Sequence, residues 1–257
     1  MNIYQHFRED ERDFIDTVLA WKDDVDHQFA PKLTNFLDPR EQFIVASIIG
    51  QNDDVAYSFF GGGEVVERKR CFLYPSYFKP DVEDYRISLF QIHYHQKFNT
   101  LDHRQVLGSL MSIGLGREKF GDILFDNGII QFFADSDLKD YVMMNFESVG
   151  KATIKVDEIP LENALKATDI WKESMETVSS LRLDVVLSAL LNMGRSKSRL
   201  LISSGKVKVN WREEESSSFL CEPGDIISIR GYGRIKVMAV EGKTKKDKWR
   251  MTVGLLK

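Results

Sequence analysis

A chain of 257 residues is long enough for two or three compact domains. With 43% hydrophobic and 29% charged residues it has an ordinary globular make-up, and its longest apolar runs, such as 43–50, are far too short for a membrane span. The net charge of −4 conceals an asymmetry: residues 181–257 hold sixteen Lys+Arg against eight Asp+Glu, or +8, which leaves −12 for residues 1–180. A basic end on an acidic body points to a polyanion addressed through that end. Two cysteines, Cys71 and Cys221, exclude a disulfide framework or a cysteine zinc site and fit a reducing cytoplasm. The opening MNIYQHFREDERD has no basic region followed by an apolar core, so no secretory signal is expected.

In chain order, Phe14, Val18, Trp21 and Val25 form an apolar stripe that predicts a helix over 8–29, with acidic residues in its first turn. Pro31 ends or redirects it, and a second, largely buried helix is expected over 39–49. Residues 55–60 and 65–73 read as a hairpin around Gly61-Gly62-Gly63. That triple glycine lacks the GK[ST] and the strand-to-helix context of a phosphate loop, so it reads as a tight turn. Pro75 and Pro80 mark a boundary that closes an N-terminal α/β domain over 1–78.

From Tyr85 the predicted order is strand 85–94, helix 102–113 capped by Asp102, strands 121–125 and 129–134 joined at Asp126-Asn127-Gly128, a helix from 135 or 136 to about 149, and strand 151–158. This βαββαβ order is ferredoxin-like, the fold of many RNA-recognition modules, and makes 79–160 a candidate RNA-binding domain. Phe90, Tyr94, Phe132 and Phe133 lie on its strands; they suit either base stacking or core, and core is the commoner reading. His93 and His95 share one strand face, but no third metal ligand stands near them in sequence. Residues 161–180 read as a linker helix carrying Ile170, Trp171, Met175 and Val178.

The stretch 181–230 is the most specific. Arg182-Leu183-Asp184 opens a helix with Leu183, Leu187, Leu190 and Leu191 on one face. Gly194 breaks it, Ser196 is a cap candidate for a second helix, and Gly205 stands where a left-handed cap belongs. Lys206-Val207-Lys208-Val209 alternates as a half-buried strand, and Pro223-Gly224-Asp225 turns into another. Arg195 and Arg199 share a helix face; Lys206 and Lys208 share a strand face that Asn210 and Arg212 are expected to continue. A helix face and a strand face meeting at Gly205 would make one basic groove on the scale of a phosphate backbone. The bland alternative is a solvated charged surface. Lys243, Lys245, Lys246 and Lys248 add a basic turn between two further strands, 235–240 and 249–255.

This stretch resembles the S4 RNA-binding domain through RLD, the R-S-K-S-R helix opening, L-I-x-x-G-K-V-x-V-N and P-G-D-I-I, with Trp211 standing where many such domains have glycine. The whole chain resembles the YlmH family of bacterial S4 proteins, through Gly61-Gly62-Gly63-Glu64 and Gly116-Arg117-Glu118-Lys119-Phe120-Gly121-Asp122-Ile123. The resemblance implies an α+β protein: an N-terminal α/β subdomain, the ferredoxin-like middle domain, and an S4 (αL-type) domain over 181–257 with a C-terminal β extension. It also implies a cytoplasmic, non-enzymatic RNA-binding protein that contacts structured RNA (rRNA and tRNA) on the large ribosomal subunit with an obstructed nascent chain. A cell-division protein is a further partner that it implies.

The expected RNA-binding residues are Arg182, Arg195, Ser196, Lys197, Arg199, Lys206, Lys208, Asn210, Arg212 and Arg230, with a secondary set at Arg117, Lys119, Lys245 and Lys246. No catalytic residue, metal ligand or cofactor is expected. Asp184 sits in an RLD that pseudouridine synthases also carry, but without their T-S-G-L context, so it reads as structural: a helix cap or an arginine partner. Arg195→Glu with Arg199→Glu is expected to abolish RNA association without unfolding the chain. An RNA-modifying enzyme that uses the S4 domain for delivery, and a cell-division interaction factor, are the alternatives.

Overall fold

In the computed structural model, which describes residues 4, 7, 9–50, 54–166 and 171–256, the chain divides into two compact units, 1–167 and 168–257. The first opens with helix α1 (Arg12–Gln28), whose Ile15, Val18 and Val25 are buried. A strand that the sequence pattern does not announce follows, β1 (Lys32–Leu37). Helix α2 (Pro39–Ile49) starts at a capping box: Glu41 N donates to Asp38 Oδ1 at 2.9 Å, and Asp38 N donates to Glu41 Oε2 at 2.6 Å, with Pro39 at the first helical position. Strands β2 (Val55–Phe60) and β3 (Lys69–Pro75) complete an antiparallel sheet of order β1-β3-β2. Both helices bury their apolar stripes against it, around Ile44, Val45, Cys71 and Leu73.

The expected βαββαβ order is present: β4 (Ile87–His93), α3 (His103–Ser112), β5 (Phe120–Asp126), β6 (Ile129–Asp135), α4 (Lys139–Asn145), a small hairpin β7 (Ser148–Val149) and β8 (Ala152–Thr153), then β9 (Lys155–Ile159). The sheet order β5-β6-β4-β9, antiparallel throughout, is ferredoxin-like. Asp102 caps α3 through Gln105 N at 2.8 Å.

Both faces of this sheet are buried. On one, Phe90, Ile92, Ile130 and Phe132 pack under Val106, Leu110, Val142 and Phe146 of the two helices. On the other, where an RNA-recognition module would stack bases, Ile87, Leu89, Leu124 and Phe133 pack on Phe36, Val66, Phe72 and Tyr85 of the N-terminal segment. Phe90, Phe132 and Phe133 are each 0% exposed, so none offers a ring to a base. The triple glycine belongs to this cover. A Cβ on Gly62 would stand 2.5 Å from the Phe133 ring, and φ at Gly62 is +93°. Only glycine lets the backbone lie that close to the ring.

The N-terminal and middle segments therefore share one core, which makes the expected boundary at 78/79 internal to the first unit. The joint is polar as well. Asp122 accepts from Glu67 N at 2.5 Å and Arg68 N at 3.2 Å. Arg68 donates to Phe36 O at 2.7 Å, and Arg70 to Thr34 O at 2.8 Å and Arg86 O at 2.9 Å. Arg70 is buried beside an equally buried Asp135 at 3.1 Å, as a charge far from water requires.

Burial also governs both thiols. It pushes the Cys71 thiol far above its ordinary range and the Cys221 thiol up to about 12. Neither is expected to react with iodoacetamide in the native chain near pH 8, whereas both should do so in denaturant. Mass spectrometry of the two samples checks this.

The second unit corrects the expected linker helix. Residues 171–178 form strand β10 (Trp171–Val178), paired along its whole length with β15 (Trp249–Leu256). Trp171, Met175 and Val178 fit a helical spacing, but eight paired residues tie the segment to β15, whereas a short exposed helix is marginal on its own. Ile170 lies outside the described residues. Upstream, Leu161 and Leu165 pack into the first unit.

After β10 come α5 (Leu183–Leu190), α6 (Arg195–Ser203), β11 (Val207–Val209), β12 (Arg212–Glu213), β13 (Ile226–Ile229), β14 (Gly233–Lys243) and β15. They form a six-stranded antiparallel sheet of order β10-β15-β14-β13-β11-β12. Leu183, Val186, Leu187 and Ile202 of the helices pack on Val207, Val209, Ile227, Ile229, Ile235, Val237 and Val253, so both helices cover the same face of it.

Candidate nucleic-acid interface

Helix α5 has no side-chain cap. Its first amides are satisfied instead by the acidic and serine-rich segment that follows β12. Leu183 N donates to Phe219 O at 2.8 Å, Asp184 N to Ser217 O at 3.3 Å, and Cys221 N returns a bond to Leu181 O at 2.9 Å. That segment thus holds the start of α5 and fixes where Asp184 points.

Asp184 is the centre of the site. It is 0% exposed. Arg182 Nε donates to its Oδ1 at 3.2 Å; Arg195 Nε and Arg199 Nε donate to its Oδ2 at 2.9 and 2.8 Å. Its carbonyl accepts from the buried Ser198 hydroxyl at 2.8 Å, locking α5 to α6. Burial by itself would raise the carboxyl's pKa; the bonds from Arg199, Arg195 and Arg182 outweigh it and hold the group well below the usual carboxylate range. Of the two structural roles open to Asp184 in the sequence, the arginine partner is the one the structure takes.

The consequence is a preorganised cationic surface. Three guanidiniums converge on one carboxylate, leaving a formal excess of +2. Arg195 and Arg199 bind it through Nε while their side chains stay about half exposed, at 49% and 53%. Their terminal nitrogens take no part in these bonds, so planar forks suited to phosphate oxygens are held in place before any ligand arrives. Ser196 and Lys197 are exposed in the first turn of the same helix, where the dipole also favours an anion. Ser196 does not cap α6; Gly194 holds that position. The same geometry overturns the expectation that Arg195→Glu with Arg199→Glu leaves the fold intact, because it would set two carboxylates against a buried third.

The strand residues lie elsewhere. Helix α6 closes in a left-handed cap at Gly205, with Gly205 N donating to Ile202 O and Lys206 N to Leu201 O. Val207 and Val209 face the core, so Lys206 and Lys208 project from the face of the sheet opposite the helices. Arg230 stands beside Lys206, its N–H bonded to Lys206 O at 2.9 Å. The helix arginines therefore lie on the helix-covered side of the sheet and the strand lysines project from its opposite face.

Arg212 departs from expectation too. Asn210 and Trp211, at φ 51° and 64°, make a two-residue hairpin turn that pairs Val209 with Arg212 and Lys208 with Glu213. Cross-strand partners share a face, so Arg212 lies on Val209's side and Glu213 takes the place beside Lys208. Asn210 is occupied structurally: its Nδ2 donates to Asp225 Oδ1 at 2.8 Å and its Oδ1 accepts from Ile226 N at 2.9 Å.

The secondary set is dispersed. Arg117 donates to Phe120 O and Gly121 O at 2.7 and 3.0 Å, and Lys119 to Asn35 Oδ1 at 2.9 Å. Their motif is a fold joint, with Phe120 at 0% exposure and Asp122 binding the 67–68 backbone. Lys245 and Lys246 are exposed in a turn organised by Thr244 at the far end of β14, roughly 30 Å along the strand from Gly233 at about 3.3 Å per residue. Sequence reasoning missed Arg234 and Lys236. Their signal was present in the R-I-K-V alternation of β14, which repeats the K-V-K-V pattern of β11.

A two-helix hook on an antiparallel sheet, carrying an arginine cluster locked by a buried aspartate, defines an S4-type RNA-binding protein. The comparisons agree: residues 181–227 match the S4 domain, and residues 80–163 match the domain described as "Putative RNA-binding domain in YlmH". The chain is 46% identical over 252 residues to "Ribosome-associated protein quality control protein P2" of Bacillus subtilis (strain 168), covering 98% of this chain and 97% of that protein. It also resembles the solved structure "Cell division protein ylmH from Streptococcus pneumoniae", with TM-score 0.53 and 32% identity over 65% of this chain and 100% of that one. The chain belongs to the YlmH family.

Proposed function

We propose that this chain is a cytoplasmic, non-enzymatic protein that grips structured rRNA or tRNA on the large ribosomal subunit when a nascent chain is obstructed. The observation that carries the RNA-binding part is the Asp184 cluster, which holds the exposed forks of Arg195 and Arg199 ready for backbone phosphates. The name of the Bacillus subtilis relative, nearly collinear with this chain, supports the ribosome and the quality-control setting. Contact would be phosphate and shape readout, and so sensitive to salt. Among the described residues no helix is long and apolar enough to cross a membrane.

Sedimentation of cell extract through sucrose tests the proposal. The protein should co-migrate with large subunits, more so after stalling, and less in high salt. Arg199→Gln, which leaves Asp184 two arginine partners, should weaken that co-migration about tenfold, the loss of one charge-assisted phosphate contact. A chain that stays at the top of the gradient under every condition would sink the ribosomal assignment. Cell-division proteins would then be the next partners to test, as the name of the streptococcal relative suggests.

A further inference from the structure

An edge strand leaves a row of N–H and C=O groups without a ladder partner, and folded chains guard it with charge, proline or a bulge. Among the described residues, the three larger sheets have six edge strands, and five are guarded in this way. β1 and β5 carry charges and a register shift, and β9, β10 and β12 each carry two or three charged residues. β2, with the sequence VAYSFF, has no such guard. Its register with β3, continued by Ser76 N donating to Asp54 O at 3.0 Å, makes 56, 58 and 60 the hydrogen-bonded positions. The N–H and C=O groups of Val55, Tyr57 and Phe59 therefore point away from the sheet. Rings border this edge on both faces: Tyr57 and Phe59 on one, 5.5 Å apart, and Phe60 with Tyr85 on the other, at 5.3 Å. Phe29 and Tyr77, 69% and 70% exposed, stand near its start, joined by the Tyr77 hydroxyl donating to Phe29 O at 3.3 Å.

The charge around the edge is acidic. Asp54 precedes the strand. The 3-10 turn Val82–Tyr85, whose Tyr85 hydroxyl donates to Ser58 Oγ at 2.6 Å, brings Asp81, Glu83 and Asp84, against a single lysine at Lys79. Residues 1–167 hold 18 Lys+Arg and 28 Asp+Glu, a net −10. We propose that β2 is a docking edge for an extended segment of another protein. That segment adds as a fourth strand, with apolar residues over the bordering rings and Lys or Arg at its ends. A second copy of this chain is the poorer occupant, because it would set one acidic unit against another. The proposal does not rest on RNA binding.

Peptide titration of the full chain tests it. The probe is a fluorescent synthetic peptide of alternating Val and Thr, ended by Lys on both sides, and binding is read by anisotropy. The native chain should bind it, and amide exchange at 55, 57 and 59 should slow when it does. A backbone N-methylated copy keeps the side chains and the charge but loses its N–H donors, and should bind about tenfold more weakly. Tyr57→Pro removes one outward N–H from the strand and, if its melting profile is unchanged, should weaken binding to a similar degree. Should that variant fail to fold, the N-methylated peptide still decides the matter. Equal affinity for the N-methylated copy would overturn the edge as the docking site. Equal affinity for a copy ended by Glu would overturn the basic partner. Absence of peptide binding by the native chain would overturn both. Slowed exchange at 55, 57 and 59 that grows with the concentration of the chain alone would make a second copy the occupant, and so overturn the choice of partner.

Discussion

Replacing Asp184 with asparagine is expected to destabilise the second unit by about 3 kcal/mol, the lower end for breaking a buried ion pair. The isosteric amide fits the space, but three guanidiniums within 3.2 Å of it then repel one another with no compensating charge. The arginines are half to two-thirds covered and can partly rehydrate, which keeps the loss from being larger. In a unit of this size the melting temperature should fall by roughly 10 °C or more. The pH dependence carries the same signature. The folded carboxyl titrates below its unfolded value, so its stabilisation is fully present above about pH 4 and is lost as pH falls through the folded value. Native protein should therefore lose stability steeply in acid, and the Asp184→Asn protein less steeply. A variant that melts like the native chain at neutral pH would show that the cluster is not a structural keystone. RNA affinity should fall together with stability, because the carboxylate also aims the forks. Arg199→Gln separates the two effects, since it removes a fork and keeps the centre.

Gly62→Ala is expected to cost the first unit about 3 kcal/mol. Part is backbone: a side chain at φ +93° is strained by about 1 kcal/mol. The rest is overpacking, because the added methyl meets the Phe133 ring at 2.5 Å in a filled core. Gly150→Ala is the control within the same unit, with φ +59° and nothing within 4 Å of the new atom, so it should show only the backbone part. Urea melts of both give the contact by difference. Equal losses in the two variants would mean that the glycine turn does not press on the Phe133 ring.

Both experiments bear on how far local pattern reaches. The order βαββαβ, the hook of α5 and α6, the left-handed Gly205 and the alternation of Lys206 to Val209 are all legible in the sequence. Each depends on residues within a few positions of one another: capping geometry, a 3.6 or 2.0 period, a glycine at a positive φ. The residue types of the interface are legible for the same reason, as is the surplus of positive charge beyond residue 180.

What the linear pattern could not supply is which surfaces face each other. Strand β10 was hidden because an edge strand takes its identity from its partner, 71 to 85 residues on, and its own spacing fits a helix equally well. Arg212 changed faces because a two-residue turn reverses the chain, and alternation cannot be carried through it. Phe133 lost its role as a base platform because the glycine turn and Phe36 came to lie over it. Arg117 and Lys119 look like exposed cations in sequence, yet nearby backbone carbonyls and Asn35 claim them. Local pattern carries the charges, the family resemblance and most of the elements, though not strands β1 and β10. The tertiary structure alone decided that one buried carboxylate gathers three arginines, and that the remaining cations stand on the opposite side. The pairing of distant segments is a long-range choice, made by the burial of both faces at once.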